Sequence, residues 1–155
     1  MKFEYLKNRI DAVPVVAKWY LDEWGYLMPE ETELEVQKTL EKYLNTDKIP
    51  LMLLATDHRK ILAVAQLKFR EMDIYPEKEH WLGGVYVEES IRGKGLASII
   101  ISEIIEIAKR LKVEVLHLQT IRPDGGLYSK LGWEPYENVN YKNKEVLVME
   151  KKIIV

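Results

Sequence analysis

The stretch SIRGKGLASII, residues 90–100, follows closely on the apolar run WLGGVYV, residues 81–87. Two glycines, an arginine and a lysine therefore stand between a predicted strand and an isoleucine-rich predicted helix. The first turn of a helix leaves backbone N–H groups without intrahelical partners. The helix dipole adds partial positive charge at the same end. Glycines let an anion such as phosphate come close to the chain. The run from Arg92 through Gly93, Lys94, Gly95 and Leu96 to Ala97 thus has the makings of an anion cradle. Spacing alone is equally consistent with an ordinary strand-to-helix turn bearing solvated Arg92 and Lys94. A dinucleotide site would want a third glycine and an acid at the end of the next strand. Here that strand ends LHLQT. A phosphate loop of the Gly-Lys-Ser/Thr type is excluded, because Lys94 is followed by Gly95.

Outward from this loop, the periodicity predicts a strand over 80–87, a helix from Gly93 to about Leu111 and a strand over 113–121. Such a strand–helix–strand unit gives parallel strands through a right-handed crossover. Upstream, 2–7 (KFEYLK) reads as a first strand. A helix is predicted from Asp11, as N-cap, to Trp24, with Gly25 as its stop. Thr32 and Glu35 form a capping-box pattern, opening a second helix with Val36, Leu40, Tyr43 and Leu44 on one face. Residues 50–56 and 61–70 read as a hairpin around the turn 57–60. Downstream, 127–131 reads as a short helix and 146–154 as a last strand. The fold expected is a mixed α/β sheet, mostly antiparallel, with helices on both faces.

The chain has 155 residues, enough for one domain with a core of its own, taken as 1–155. Its 47% hydrophobic content argues for a globular fold. A net charge of −2 gives no global positive field to draw nucleic acid. The absence of cysteine excludes thiolate catalysis and a disulfide framework, and fits a reducing compartment. No apolar run reaches the roughly 18 residues of a membrane span. The start MKFEYLKNR lacks a signal-peptide pattern. The expectation is a soluble cytoplasmic protein with no nucleic-acid or membrane partner; a homodimer is left open.

RGKGLA resembles the Arg/Gln-x-x-Gly-x-Gly/Ala motif of the GNAT superfamily of acetyl-CoA-dependent N-acetyltransferases. The preceding VYV is similar to the end of that family's fourth strand. LYSKLGW, residues 127–133, resembles its downstream Phe/Tyr-Tyr-x-x-Leu-Gly-Phe motif, in the same order and at a similar separation. The resemblance is strong over about 80–135. It implies a sheet splayed where the cofactor enters, between the strands at 80–87 and 113–121. It implies that backbone N–H groups from Arg92 to Ala97, with Ser98 next in the helix, hold the pyrophosphate of acetyl-CoA. The pantetheine arm would lie along Val85, Tyr86 and Val87 like an added strand. Lys130 is an additional candidate for the nucleotide phosphates. Gly83-Gly84 inside a strand fits a bulge, a close neighbour, or both.

The resemblance also gives Tyr128 a role as general acid to the departing thiolate. A thiol has a pKa of roughly 8.5 and a phenol roughly 10, so a positioned phenol can donate to that sulfur. The attacking amine must lose a proton, and many family members use a fourth-strand glutamate for this. This chain departs from that pattern: HWLGGVYV has glycine where the acid would be sought. Glu79, His80, Glu88 and His117 are the nearby candidates, His80 being the one preferred. Aromatics and carboxylates over 19–35 suggest a surface for a cationic amine. The function implied is acetyl transfer from acetyl-CoA to a small-molecule or peptide primary amine by direct attack. There is no cysteine nucleophile and no serine in a nucleophile-elbow context. A catalytically silent acyl-CoA-binding regulatory module is the alternative, and a purely structural interaction domain a weaker one. No metal is implied.

Overall fold

The computed structural model describes residues 1–154; Val155, the last residue of the expected domain, lies outside the described residues. The strands are β1 (Lys2–Tyr5), β2 (Leu51–Asp57), β3 (Lys60–Phe69), β4 (His80–Val87), β5 (Val115–Thr120), β6 (Glu134–Tyr141) and β7 (Lys144–Lys152). They form one sheet in the order β1-β2-β3-β4-β5-β7-β6. The helices are α1 (Val13–Trp24), α2 (Glu33–Leu40), α3 (Leu96–Arg110) and α4 (Gly126–Lys130). Every neighbouring strand pair is antiparallel except β4 and β5, which α3 connects in parallel.

The continuous apolar run of β2 is divided by strand alternation between two layers. Leu51, Leu53 and Ala55 pack on the side of α3, whereas Met52 and Leu54 pack on the side of α1 and α2. On α3, Ile100, Ile104, Ile107 and Ala108 recur at helical spacing and are buried against the sheet. Burying one such isoleucine side chain contributes about 2 kcal/mol. This stripe fixes where the N-terminal end of α3 must lie, and with it the glycine loop.

Several local expectations are refined. Asp11 does not cap α1: its carboxylate accepts from Arg9 Nε and Nη2, each at 3.0 Å. A 3₁₀ turn over Ile10–Ala12 and a proline in the first turn start the helix instead. Gly25 is not left-handed (φ −59°), so the chain runs on into a further 3₁₀ turn. Thr32 caps α2 as expected, Glu35 N–H donating to Thr32 Oγ1 at 3.2 Å, while the Glu35 carboxylate accepts from that same hydroxyl at 3.2 Å. The helix expected from Gly93 begins at Leu96; Gly93 and Gly95 form its left-handed lead-in. β6 was not anticipated. Its sequence EPYENVNY is largely exposed and has no apolar alternation, and the sheet edge holds it by pairing with β7.

Two features of β4 prepare the site. The register with β3 shifts between Val64 and Gln66, and Gly84 there has φ +57°. Tyr20 of α1 donates its hydroxyl to Gly84 O at 2.6 Å. The glycine pair is therefore both a bulge and a point of close approach. On the other side, β4 meets β5 at one pairing, Trp81 with His117. Beyond it the two strands diverge, and the sheet is splayed as expected.

Candidate active site

A cavity of about 360 Å³ opens where β4 ends and α3 begins. Val85, Tyr86, Val87, Arg92, Gly93, Gly95, Leu96, Ala97 and Ser98 line it, together with Leu127 of α4. Gly93 and Gly95 have φ +81° and +82°, and a Cβ on either would meet nothing within 4 Å. The glycines are therefore required by conformation, and the space beside them is open. Leu96, Ala97 and Ser98 occupy the first turn of α3, whose N–H groups lack carbonyl partners within the helix. The first helical bond is Ile99 N–H to Gly95 O at 3.2 Å. This is main chain shaped to receive an anion.

Arg92 is committed elsewhere. Its Nε donates to Val87 O at 2.9 Å, and its guanidinium lies 5.0 Å from the Tyr86 ring centroid. Glu23 approaches it at 4.0 Å. Its own N–H points at Glu89 O, at 3.4 Å. Arg92 thus fastens the loop to the strand end. Lys94 and Lys130 are exposed and line neither cavity.

The divergence of β4 from β5 leaves a free strand edge. Glu88 N–H donates to Leu62 O at 2.9 Å, across toward β3. By the alternation of an antiparallel ladder, the main-chain groups of Val85 and Val87 then face the open side. An extended arm leading from the anion cradle can pair there.

A second cavity, of about 530 Å³, adjoins the first and shares Val85 with it. Its floor is the β3–β4 surface carrying Gln66, Lys68, Gly83 and Gly84, and Tyr128 forms part of its wall. Gln66 and Lys68 continue the face that carries Val64 against α1 and α2, where the helices no longer cover it. Lys68 Nζ lies 2.7 Å from Glu71 Oε2, and Gln119 Nε2 donates to Glu71 Oε1 at 3.4 Å. Burial alone would depress the Lys68 ammonium, but the Glu71 charge, Tyr43 and the hydrogen bond to Glu71 outweigh it and lift its pKa.

Tyr128 packs edge-to-face on Trp133, ring centroids 6.1 Å apart. Burial pushes its phenol up to about 12, so it carries its proton throughout the neutral range. Among the described residues its hydroxyl has no hydrogen-bond partner. A protonated donor thus stands free in the wall of the larger cavity, next in sequence to Leu127, which lines the smaller one.

His80, the preferred base, pairs with Phe69 at the far end of β4 and lines neither cavity. Five residues of strand, about 16 Å, separate it from Val85. The other candidates also line neither cavity. Glu79 lies 3.9 Å from Arg70, and Glu88 caps Ser90 N–H at 3.1 Å. His117 is buried with Nε2 3.4 Å from Glu150, and desolvation holds its pKa below the usual histidine value. The acidic segment 19–35 also divides: Glu31 alone of its carboxylates lines the larger cavity. Trp19 stacks on Tyr86 at 4.9 Å as packing. Gln66, Lys68 and Glu71 were not foreseen, and Tyr20, expected on the amine surface of 19–35, also donates to β4 at Gly84. The available signal was Gln66 and Lys68, two polar residues at strand spacing in an apolar run.

A family model described as the acetyltransferase (GNAT) family matches residues 13–133. No curated protein matches the chain in sequence. Among solved structures, a ribosomal-protein-alanine N-acetyltransferase from Brucella melitensis superposes with a TM-score of 0.74 at 20% identity, covering 98% of this chain and 99% of that one. An aminoglycoside 6'-N-acetyltransferase from Enterococcus faecium gives 0.73 at 16% identity, covering 100% and 98%. An acyl-CoA N-acyltransferase from Pseudomonas aeruginosa gives 0.65 at 16% identity, covering 97% of each chain. These likenesses establish the same fold. With the sequence match spanning both motifs and the splayed cleft between them, the chain belongs to the acetyltransferase (GNAT) family.

Proposed function

We propose that this chain, working as a single cytoplasmic domain, transfers an acetyl group from acetyl-CoA to a primary amine by direct attack. The observation that carries the reading is that the two cavities share Val85 while the unpartnered Tyr128 hydroxyl stands in the wall of the larger one. One cavity is shaped in main chain for an anion, and the other is walled by mixed polar and apolar side chains.

The residues present fit a coenzyme A thioester. The N–H groups of Leu96, Ala97 and Ser98 would hold its pyrophosphate, with Gly93 and Gly95 keeping the approach clear. The open edge at Val85 and Val87 would pair with its pantetheine arm. When bound, acetyl-CoA supplies an acetyl group activated as a thioester. A main-chain N–H of Val85 or Val87 would stabilise negative charge developing on the carbonyl oxygen. Tyr128 holds its proton for the departing thiolate. Glu71 is the inner carboxylate of the larger cavity and takes up the proton of the amine through water. No covalent enzyme intermediate is required, since the chain has no cysteine.

Thiol release from acetyl-CoA across a panel of amines tests this reading. Amine-dependent release is the expected result. Calorimetric binding of acetyl-CoA with no release on any amine would instead favour a regulatory acyl-CoA-binding module.

A further inference from the structure

The larger cavity is not the acidic surface that residues 19–35 suggested. Its ionisable lining, tyrosines aside, is Glu31, Lys68, Glu71, Lys142 and Lys144. Lys68 and Glu71 close on each other at 2.7 Å and cancel. One carboxylate then faces two lysines, so the remaining charge is positive.

The two lysines belong to the hairpin joining β6 to β7. Lys142 and Asn143 have φ +51° and +65°, the tight turn that sets this hairpin over the cavity. Lys142 Nζ lies 5.2 Å from the Tyr141 ring centroid and Lys144 Nζ 5.3 Å from that of Tyr26. Both rings line the same cavity, and Tyr26 is 62% exposed, which marks this end as the mouth. Among the described residues neither ammonium has a carboxylate within ion-pair distance. Stacked on aromatic faces, the ammonium groups are steered while their charge remains available.

We infer that the acceptor is an amine that also carries an anionic group, and that Lys142 and Lys144 hold that group at the mouth while the amine reaches inward toward Tyr128. The inference rests on the acetyl-transfer reading above. A polycationic acceptor meets like charge at the mouth, whereas a carboxylate or phosphate meets two unpaired donors. The shared chemistry is the anion, whichever of these groups bears it.

The test uses matched acceptors with acetyl-CoA and the full chain: 4-aminobutyrate against its amide, O-phosphoethanolamine against ethanolamine, and spermidine as the polycation. In at least one pair the anionic member should show a KM lower by about tenfold, the scale of two partly exposed charge contacts. Which pair responds distinguishes carboxylate from phosphate. The preference should shrink as salt is raised. It should vanish in the double variant Lys142→Asn, Lys144→Gln, in which asparagine suits the left-handed turn position. It should persist in Lys142→Arg, Lys144→Arg. Equal or better use of the neutral amines or spermidine by the unaltered protein would overturn the inference and leave acetyl transfer standing. A preference that survives the Asn/Gln variant would also overturn it. Acetyl-CoA binding with no acetylation of any amine would remove the acetyl-transfer reading itself, and this inference with it.

Discussion

The two cavities that adjoin at Val85 are made of different material. The smaller one is main chain: a helix start, two left-handed glycines and a strand edge. The larger one is side chain, gathered from α1, α2, β3, β4, β5, α4 and the β6–β7 hairpin. A main-chain site can be written in one short segment. A side-chain site is distributed along the whole chain and can diverge without disturbing the frame. On the function proposed above, the difference divides a cofactor grip from an acceptor site.

The sharpest way to break the comparison is at Tyr128, in the wall of the larger cavity. Tyr128→Phe keeps the ring on Trp133 and removes the proton. Turnover should fall on the order of 10²-fold with acetyl-CoA affinity and melting temperature nearly unchanged. Normal turnover would remove the general-acid role, and a joint loss of stability and binding would make Tyr128 a packing residue. The next test asks whether the smaller cavity is truly main chain. Gly95→Val forces a β-branched residue into φ +82°. It should weaken acetyl-CoA binding by about tenfold or more, measured by calorimetry. Arg92→Ala and Lys94→Ala should cost much less; equal losses would indicate a charge patch.

Val85, the residue common to both cavities, follows directly on the bulge in β4. A Cβ at Gly84 would lie 2.1 Å from Gln66 Oε1 and 2.4 Å from the Tyr20 hydroxyl, at φ +57°. Both obstacles are side-chain ends that can yield in part. Gly84→Ala should therefore lower stability by about 1–2 kcal/mol in denaturant unfolding. A neutral substitution would mean that the bulge is not held by Tyr20. The smallest effect is in alkali. Tyr128 titrates at about 12 in the folded protein, above the roughly 10 of an unfolded chain. Its contribution is intact below pH 10 and is lost as pH rises toward 12, roughly 1 kcal/mol by pH 11. Tyr128→Phe should flatten that limb of the stability curve.

This division also explains what could be read from sequence. The bounds of β4 (His80–Val87) were legible because an apolar run ends at charged residues. The start of α3 was displaced from Gly93 to Leu96, since glycine allows a lead-in that only dihedral angles distinguish from helix. The N-cap at Thr32 was local and held. β6 was illegible because its pairing with β7 carries it and its own residues bury little. The base was sought near the fourth strand because the resemblance points there, and strand geometry carries His80 some 16 Å from Val85. Gln66 and Glu71 reach the site from β3 and the segment after it, which no local pattern connects to Tyr128.

The single pairing between Trp81 and His117 has one further consequence. Past it, the amides of Val85 and Val87 lie on a strand edge with no neighbouring strand to shield them. In the free protein they should exchange their hydrogens with solvent far faster than the amides β3 and β4 share. An arm pairing along that edge would slow exchange at those two residues first. The wedge in the sheet is therefore also a built-in reporter of occupancy, readable amide by amide without any turnover.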